Sequence, residues 1–186
     1  MIEIIKTEIP GVLIVVPKVF GDDRGYFMES FNGREFAEKT GIDIAFVQDN
    51  ESKSRYGVLR GLHFQKPPYA QSKLVRVVKG VVVDVAVDIR KGSPTYGKYA
   101  MCELTGDNHR QFFIPKGMAH GFVVLSDEAI FQYKCDEFYH PEAEGALAWD
   151  DESIGIKWPI LHNEVILSDK DKHHSGIIEF DSPFIF

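Results

Sequence analysis

The sequence predicts an all-β protein: an antiparallel jelly-roll barrel or sandwich with a few short helices. Three observations carry that prediction. The strongest periodicity is two rather than 3.6, many short strand-like runs follow one another at close spacing, and only one segment has the signals of a helix. In the clearest run, Val81, Val83, Val85, Val87 and Ile89 alternate with Val82, Asp84, Ala86 and Asp88. One face is wholly apolar and the other mixed, which predicts a strand in a sheet buried chiefly on one side.

Runs rich in β-branched and aromatic residues occur at 12–16, 44–48, 58–64, 73–78, 99–104, 111–114, 121–125 and 129–135, parted by Gly, Pro, Asp and Asn. Lys79-Gly80 and Asp107-Asn108 separate such runs closely enough to predict two hairpins. A helix is predicted over 33–40, with Asn32 as its cap, Glu35 completing a capping box and Gly41 ending it. Beyond the strands, Trp149, Trp158, Val165, Ile166 and Leu167 should dock on the sheet, whereas the charged run from Asp169 to His174 reads locally as a solvated loop.

A chain of 186 residues, 44% hydrophobic and 26% charged, suits one domain spanning 1–186. Its net charge of −7 argues against a nucleic-acid surface but leaves room for a local basic pocket that takes an anionic small molecule. Cys102 and Cys135 lack CxxC spacing, and neither a signal-like N-terminus nor an apolar span of ~20 residues is present. The expectation is a cytoplasmic protein with two buried thiols and no membrane segment.

Polar side chains on apolar strand faces carry the chemical information, because burying them costs several kcal/mol unless they are paired or functional. Alternation groups His63 with Leu59, Gly61 and Gln65, Lys73 with Val75 and Val77, and Tyr133 with Ala129, Phe131 and Cys135. Singly, each has an ordinary structural explanation: a satisfied core histidine, a snorkelling lysine, a packed tyrosine. Together they are a base, a cation and an acid, the set that moves a proton beside a carbonyl, and the residues alone leave both readings open.

The segment from Pro115 to Phe122 has the PxGxxHxF form of the second cupin motif, whose histidine, here His120, binds metal. In the first cupin motif, however, His63-Phe64-Gln65 carries glutamine in place of the second histidine, so a site of three histidines and one carboxylate cannot be completed. No metal is therefore expected, and His120 is left to hydrogen-bond a substrate. Arg24 and Glu29 flank a Gly25 turn, Gln48-Asp-Asn50 ends a strand, and Arg24 and Arg60 offer forked donors that match a diphosphate.

With these residues in place, the chain resembles the dTDP-4-dehydrorhamnose 3,5-epimerases, cupin-fold enzymes of deoxysugar biosynthesis. The likeness runs through Asp22-Asp-Arg-Gly-Tyr-Phe-Met-Glu29, Val47-Gln-Asp-Asn50, Gly57-Val-Leu-Arg-Gly-Leu-His-Phe-Gln65, Ser72-Lys-Leu-Val-Arg-Val77, the Pro115 motif, Tyr133-Lys-Cys135 and Leu167-Ser-Asp-Lys-Asp171. The resemblance implies His63 as base, oriented by Asp171, with Tyr133 as acid and Lys73 beside the reacting carbonyl. It further implies that Arg24, Glu29, Gln48, Asn50, Arg60, Lys73, His120, Glu144 and Lys170 bind a dTDP-4-ketosugar and that Tyr139 stacks on its thymine. By the same resemblance the tail should fold back onto the sheet, no cofactor is needed, and the enzyme is a homodimer whose nucleotide site is shared between subunits. Asp169 stands where the family motif often has Glu, and His173-His174 suggests only an exposed loop. A relative that inverts only C3 or C5 or acts on another nucleotide 4-ketosugar, a binding-only cupin and a metal-dependent cupin are the alternative readings.

Overall fold

The computed structural model describes residues 1–186, with strands numbered in chain order. One sheet runs, in spatial order, β1 (Ile2–Lys6), β2 (Leu13–Pro17), β10 (Gln111–Ile114), β7 (Lys73–Lys79), β12 (Glu128–Cys135) and β5 (Gln48–Arg55). The other runs β13 (Glu144–Ala146), β6 (Leu59–Gln65), β11 (Met118–Val124), β8 (Val81–Asp88) and β9 (Tyr99–Thr105). Within the two sheets every strand pairs antiparallel with its neighbours, and the sheets face each other as the jelly roll requires. A separate ribbon, β3 (Val19–Asp22) with β4 (Gly25–Met28), pairs with neither sheet.

The buried interior explains the strand pattern and corrects it in one respect. Val82 and Ala86 of β8 point between the sheets, among Phe112, Phe122 and Phe131. Val83, Val85, Val87 and Ile89 point the other way, into a second core closed by Trp149, Ile154, Ile177 and Phe184 from the tail. The second sheet is thus covered on both faces, not chiefly on one. Periodicity within β8 could not reveal this, because the covering layer comes from residues some sixty and more positions later. As expected, Trp158, Val165 and Leu167 pack in that layer too.

Neither predicted hairpin forms. Lys79-Gly80 joins β7 to β8 and Asp107-Asn108 lies between β9 and β10, and in each case the two strands belong to different sheets. A tight corner between sheets uses the same residues as a hairpin turn, so composition cannot separate them. At Gly80, φ is +87° and an added Cβ would lie 2.1 Å from the Glu128 carbonyl oxygen, so only glycine turns this corner.

Helix α1 (Gly33–Thr40) has its predicted bounds. Asn32 accepts a hydrogen bond from the Glu35 amide at 3.1 Å and Gly41 ends the helix in the left-handed conformation. The capping box is only half made, since the Glu35 carboxylate accepts from the Ile2 amide instead. Phe36 anchors the helix against Leu13, Val15, Leu74 and Phe113 on the outer face of the first sheet. Residues 44–47 form no strand; Ile44 and Phe46 pack on this same cluster, which accounts for their alternation. β5 begins at Gln48 instead, an edge strand too polar to betray itself.

Asp88, fully buried at the end of β8, holds the loop that follows. Its Oδ1 accepts from the Arg90 backbone and Nε, and its Oδ2 accepts from Arg90 Nη2 and from the hydroxyls of Ser93 and Thr95 at 2.6 Å each. Burial alone would raise this carboxyl, but the bonds from Arg90, Ser93 and Thr95 outweigh it and hold Asp88 below its ordinary value. A depressed carboxyl stabilises the fold above the unfolded value near ~3.9 and loses that contribution as pH falls through the folded value. Asp88→Ala should therefore cost about 3–5 kcal/mol in urea unfolding at neutral pH, with the difference from the parent narrowing in acid.

Candidate active site

The site lies between the sheets, and a bulge in β6 builds it. On β11, Phe122 is two residues from His120, but their partners on β6, Arg60 and His63, are three apart. The extra residue breaks the alternation: Leu59, Leu62 and Phe64 face the second core, while Arg60 and His63 both reach the interior. Strict alternation puts Arg60 on the opposite face from His63; the bulge removes that difference. Gly61 sits within it at φ +135°, where an added Cβ would lie 2.5 Å from the Gly121 Cα, so the close approach of β6 and β11 demands glycine.

A cavity of about 220 Å³ results. His63, Arg60 and His120 line it from the second sheet, and Asn50, Lys73 and Tyr133 from the first, with Phe122 and Phe131 as apolar wall. His63 and Tyr133 thus approach a molecule in this space from opposite sheets.

His63 Nε2 lies 2.5 Å from Asp171 Oδ1. The tail brings this carboxylate into place: Ile166 exchanges backbone hydrogen bonds with Gly57 and Leu59, so Ser168 and the 3-10 turn Lys170–Lys172 fall against β6. Asp171 is buried and its Oδ2 accepts from the Ser168 hydroxyl at 2.8 Å. Burial would raise its carboxyl, yet the hydrogen bonds and charge of His63 and the Ser168 bond bring it below the usual range. An ionised carboxylate only accepts, so it fixes the imidazole proton on Nε2 and leaves a lone pair on Nδ1 that can accept a proton. Asp169, by contrast, is exposed and paired with Lys172, which selects Asp171 as the partner.

A second histidine–carboxylate pair stands beside the first. His120 Nε2 is 3.0 Å from both oxygens of Asp84, which is wholly buried in β8. Burial pushes Asp84 up and His120 down, so the imidazole stays uncharged. His120 is therefore not wholly free for a substrate; one ring nitrogen is engaged. Asp84 was not among the residues singled out from the sequence, although a lone acid between Val82 and Ala86 was a usable signal. Lys73, across the cavity, is lowered by burial against the opposing pull of Cys135, Asp84 and Glu144. Its ammonium lies 5.8 Å from the centroid of the Tyr133 ring. Burial raises Tyr133, keeping its hydroxyl protonated in the neutral range.

At the mouth, Glu144 on β13 contacts Lys170 Nζ and accepts from the Tyr139 hydroxyl at 3.2 Å. Gln48 accepts from the Tyr139 amide at 3.0 Å and donates to Asn50 at 3.0 Å. Of the residues named from the sequence, only Arg24 and Glu29 are not brought to this cluster. Arg24 is exposed on the β3–β4 ribbon and paired with Asp22, and Glu29 accepts from Asn32.

The donor set does not fit a cupin metal. At the position of the second cupin histidine, Gln65 donates to the Tyr69 and Phe138 carbonyls and accepts from the His140 amide, so its amide is consumed by backbone. Cys102 and Cys135 are both buried and free; burial pushes their thiols up to about 12 and about 11, which keeps them unreactive.

The fold and the cavity define the class: a cupin-type jelly roll whose interior is equipped for proton transfer beside a polarised oxygen. The family model described as dTDP-4-dehydrorhamnose 3,5-epimerase matches residues 6–179, and the chain belongs to that family. It is 57% identical to dTDP-4-dehydrorhamnose 3,5-epimerase of Shigella flexneri over 96% of this chain and 97% of the relative. Among solved structures it is similar to the dTDP-6-deoxy-D-glucose-3,5-epimerase of Legionella pneumophila in complex with dTDP-4-keto-L-rhamnose (TM-score 0.93, 49% identity, 97% of this chain and 95% of that one). A 3'-monoepimerase from Streptomyces bikiniensis in complex with dTDP-quinovose is less similar, at 32% identity and TM-score 0.86 over 92% of this chain and 86% of that one.

Proposed function

We propose that this protein is a dTDP-4-dehydrorhamnose 3,5-epimerase, converting dTDP-4-dehydro-6-deoxy-D-glucose to dTDP-4-dehydro-L-rhamnose. The observation that carries the reading is the His63–Asp171 pair facing Tyr133 across one cavity that also holds Lys73. His63 Nδ1 removes the proton at C5, alpha to the C4 ketone, and the electron pair moves onto the ketone oxygen as an enolate. Lys73 stabilises that oxygen, and an aimed cation in a dry site contributes several kcal/mol. Tyr133 then protonates the carbon from the opposite face, inverting it. A second round inverts C3. The ketone is the electron sink, so the chemistry needs no cofactor.

Arg60, Gln48, Asn50, His120, Glu144 and Lys170 hold the dTDP-sugar, with Tyr139, exposed at the mouth, stacking on thymine. The whole chain, 1–186, works as a single domain, because the base on β6 and its carboxylate on the tail make one site. Two chains form a homodimer in which the ribbon of one delivers Arg24 and Glu29 to the cavity of the other. Exposure of Phe20, Tyr26 and Phe27 on a ribbon tied to neither sheet supports this. The protein works in the cytoplasm without nucleic-acid or membrane partners; no helix is long and apolar enough to cross a membrane.

In D2O, turnover of dTDP-4-dehydro-6-deoxy-D-glucose should place solvent deuterium at both C3 and C5. Label at C3 alone would make the protein a monoepimerase, and label at neither carbon would remove the epimerase reading altogether.

A further inference from the structure

His173-His174 has no part in the reaction, and the two residues differ in placement: His173 is exposed, while His174 turns inward beside the dyad. Its Nε2 is buried and has no hydrogen-bond partner. The nearest carboxylate oxygen, Asp171 Oδ1, is 3.8 Å away, beyond hydrogen-bond reach. A buried nitrogen left unpaired is destabilising unless something external meets it.

We propose that His63, Asp171 and His174 form a site for a divalent transition metal of the zinc class, and that its occupation switches the base off. One donor atom from each residue lies within 4.8 Å of the others. The Asp171 Oδ1 atom is 2.5 Å from His63 Nε2 and 3.8 Å from His174 Nε2. Tetrahedral zinc with ligand bonds of about 2.0–2.1 Å needs donors about 3.4 Å apart, so no donor separation has to change by more than about 1.4 Å to seat the ion. Two imidazoles and a carboxylate, with water as fourth ligand, match zinc and its neighbours rather than magnesium or calcium.

The inhibitory consequence follows from the tautomer. In the metal-free dyad the His63 proton is on Nε2 and the base is Nδ1. An ion on Nε2 takes that nitrogen's lone pair, and the ring's one proton moves to Nδ1. No proton is lost from the imidazole, but the nitrogen facing the substrate can no longer accept one. The ion sits on the Asp171 side of the ring, so nucleotide binding persists while proton abstraction stops. Inhibition, unlike metal binding, rests on His63 being the base.

The test titrates metal-free wild type, His174→Ala, His174→Gln and His173→Ala with Zn2+ by calorimetry and with Co2+ by its visible absorption. Solvent-deuterium exchange into the dTDP-4-ketosugar is followed in parallel. Wild type and His173→Ala should bind one ion per chain, show the intense band of tetrahedral Co2+ and lose exchange as Zn2+ saturates. Both His174 variants should keep metal-free exchange yet bind at least about tenfold more weakly, as loss of a ligand must exceed the 10–100-fold effect of losing a supporting contact. Equal affinity in wild type and both His174 variants overturns the site, as does absence of binding to wild type. Exchange that survives saturation overturns the switch. Metal-free wild type that fails to exchange refutes the epimerase reading instead, and the binding curves then judge the site alone.

Discussion

Asp171→Asn should slow deuterium exchange at C5 by about 10³–10⁴-fold while leaving dTDP affinity nearly unchanged. The substitution keeps size and shape but reverses what the group offers His63. The carboxylate accepts from Nε2–H at 2.5 Å; an amide presenting its NH2 there would favour the tautomer protonated on Nδ1. The ring would stay in place with its lone pair facing away from the sugar. His63→Ala should be about as slow, and the double variant hardly slower than either single one, because the two residues act as a unit. Additive losses would show that Asp171 works independently of His63. The wild-type carboxylate, held below its ordinary value by its partners, loses this function only as pH falls through that lowered value.

The same dyad shows how far sequence reasoning reaches. His63, Lys73 and Tyr133 stood out because each interrupts an apolar face, and each does line the cavity. Asp171 did not stand out on that ground. In a run of alternating acids and lysines nothing local distinguishes it from Asp169; the difference arises from the backbone pairing of Ile166 with Gly57 and Leu59, which buries one and leaves the other in solvent. The second sheet's outer cover was hidden for the same reason, since it depends on contacts between distant segments. Arg60 was misphased because alternation assumes a regular ladder and the bulge at Gly61 adds a residue. Two sheet-crossing corners looked like hairpins, and β5, with Asn50, Ser52 and Ser54, had no apolar residues by which to be seen. Local periodicity therefore yields strands and their inward polar groups, while bulges, corners and tail docking require the third dimension. His174 belongs to the second kind: its neighbour His173 has the same side chain and a wholly different environment.

Tyr133→Phe separates the two halves of the reaction. It removes one hydroxyl from a half-buried ring flanked by Phe131 and Lys73, and leaves the His63–Asp171 pair untouched. Proton removal from C5 should continue, so protium at that carbon should still wash out in D2O. Delivery from the opposite face should fall by about 10²–10⁴-fold, the usual range for a positioned general acid. The enolate then has only His63 to return a proton, from the face it left, and recovered substrate should be deuterated at C5 with its original configuration. Comparing wash-out with product formation in one sample reads both rates and cancels any difference in folded fraction or substrate affinity. A merely structural Tyr133 would slow both equally or neither. Inversion at the parental rate would remove Tyr133 from its role and leave the opposite-face acid to be sought among the other residues that line the first sheet's side of the cavity.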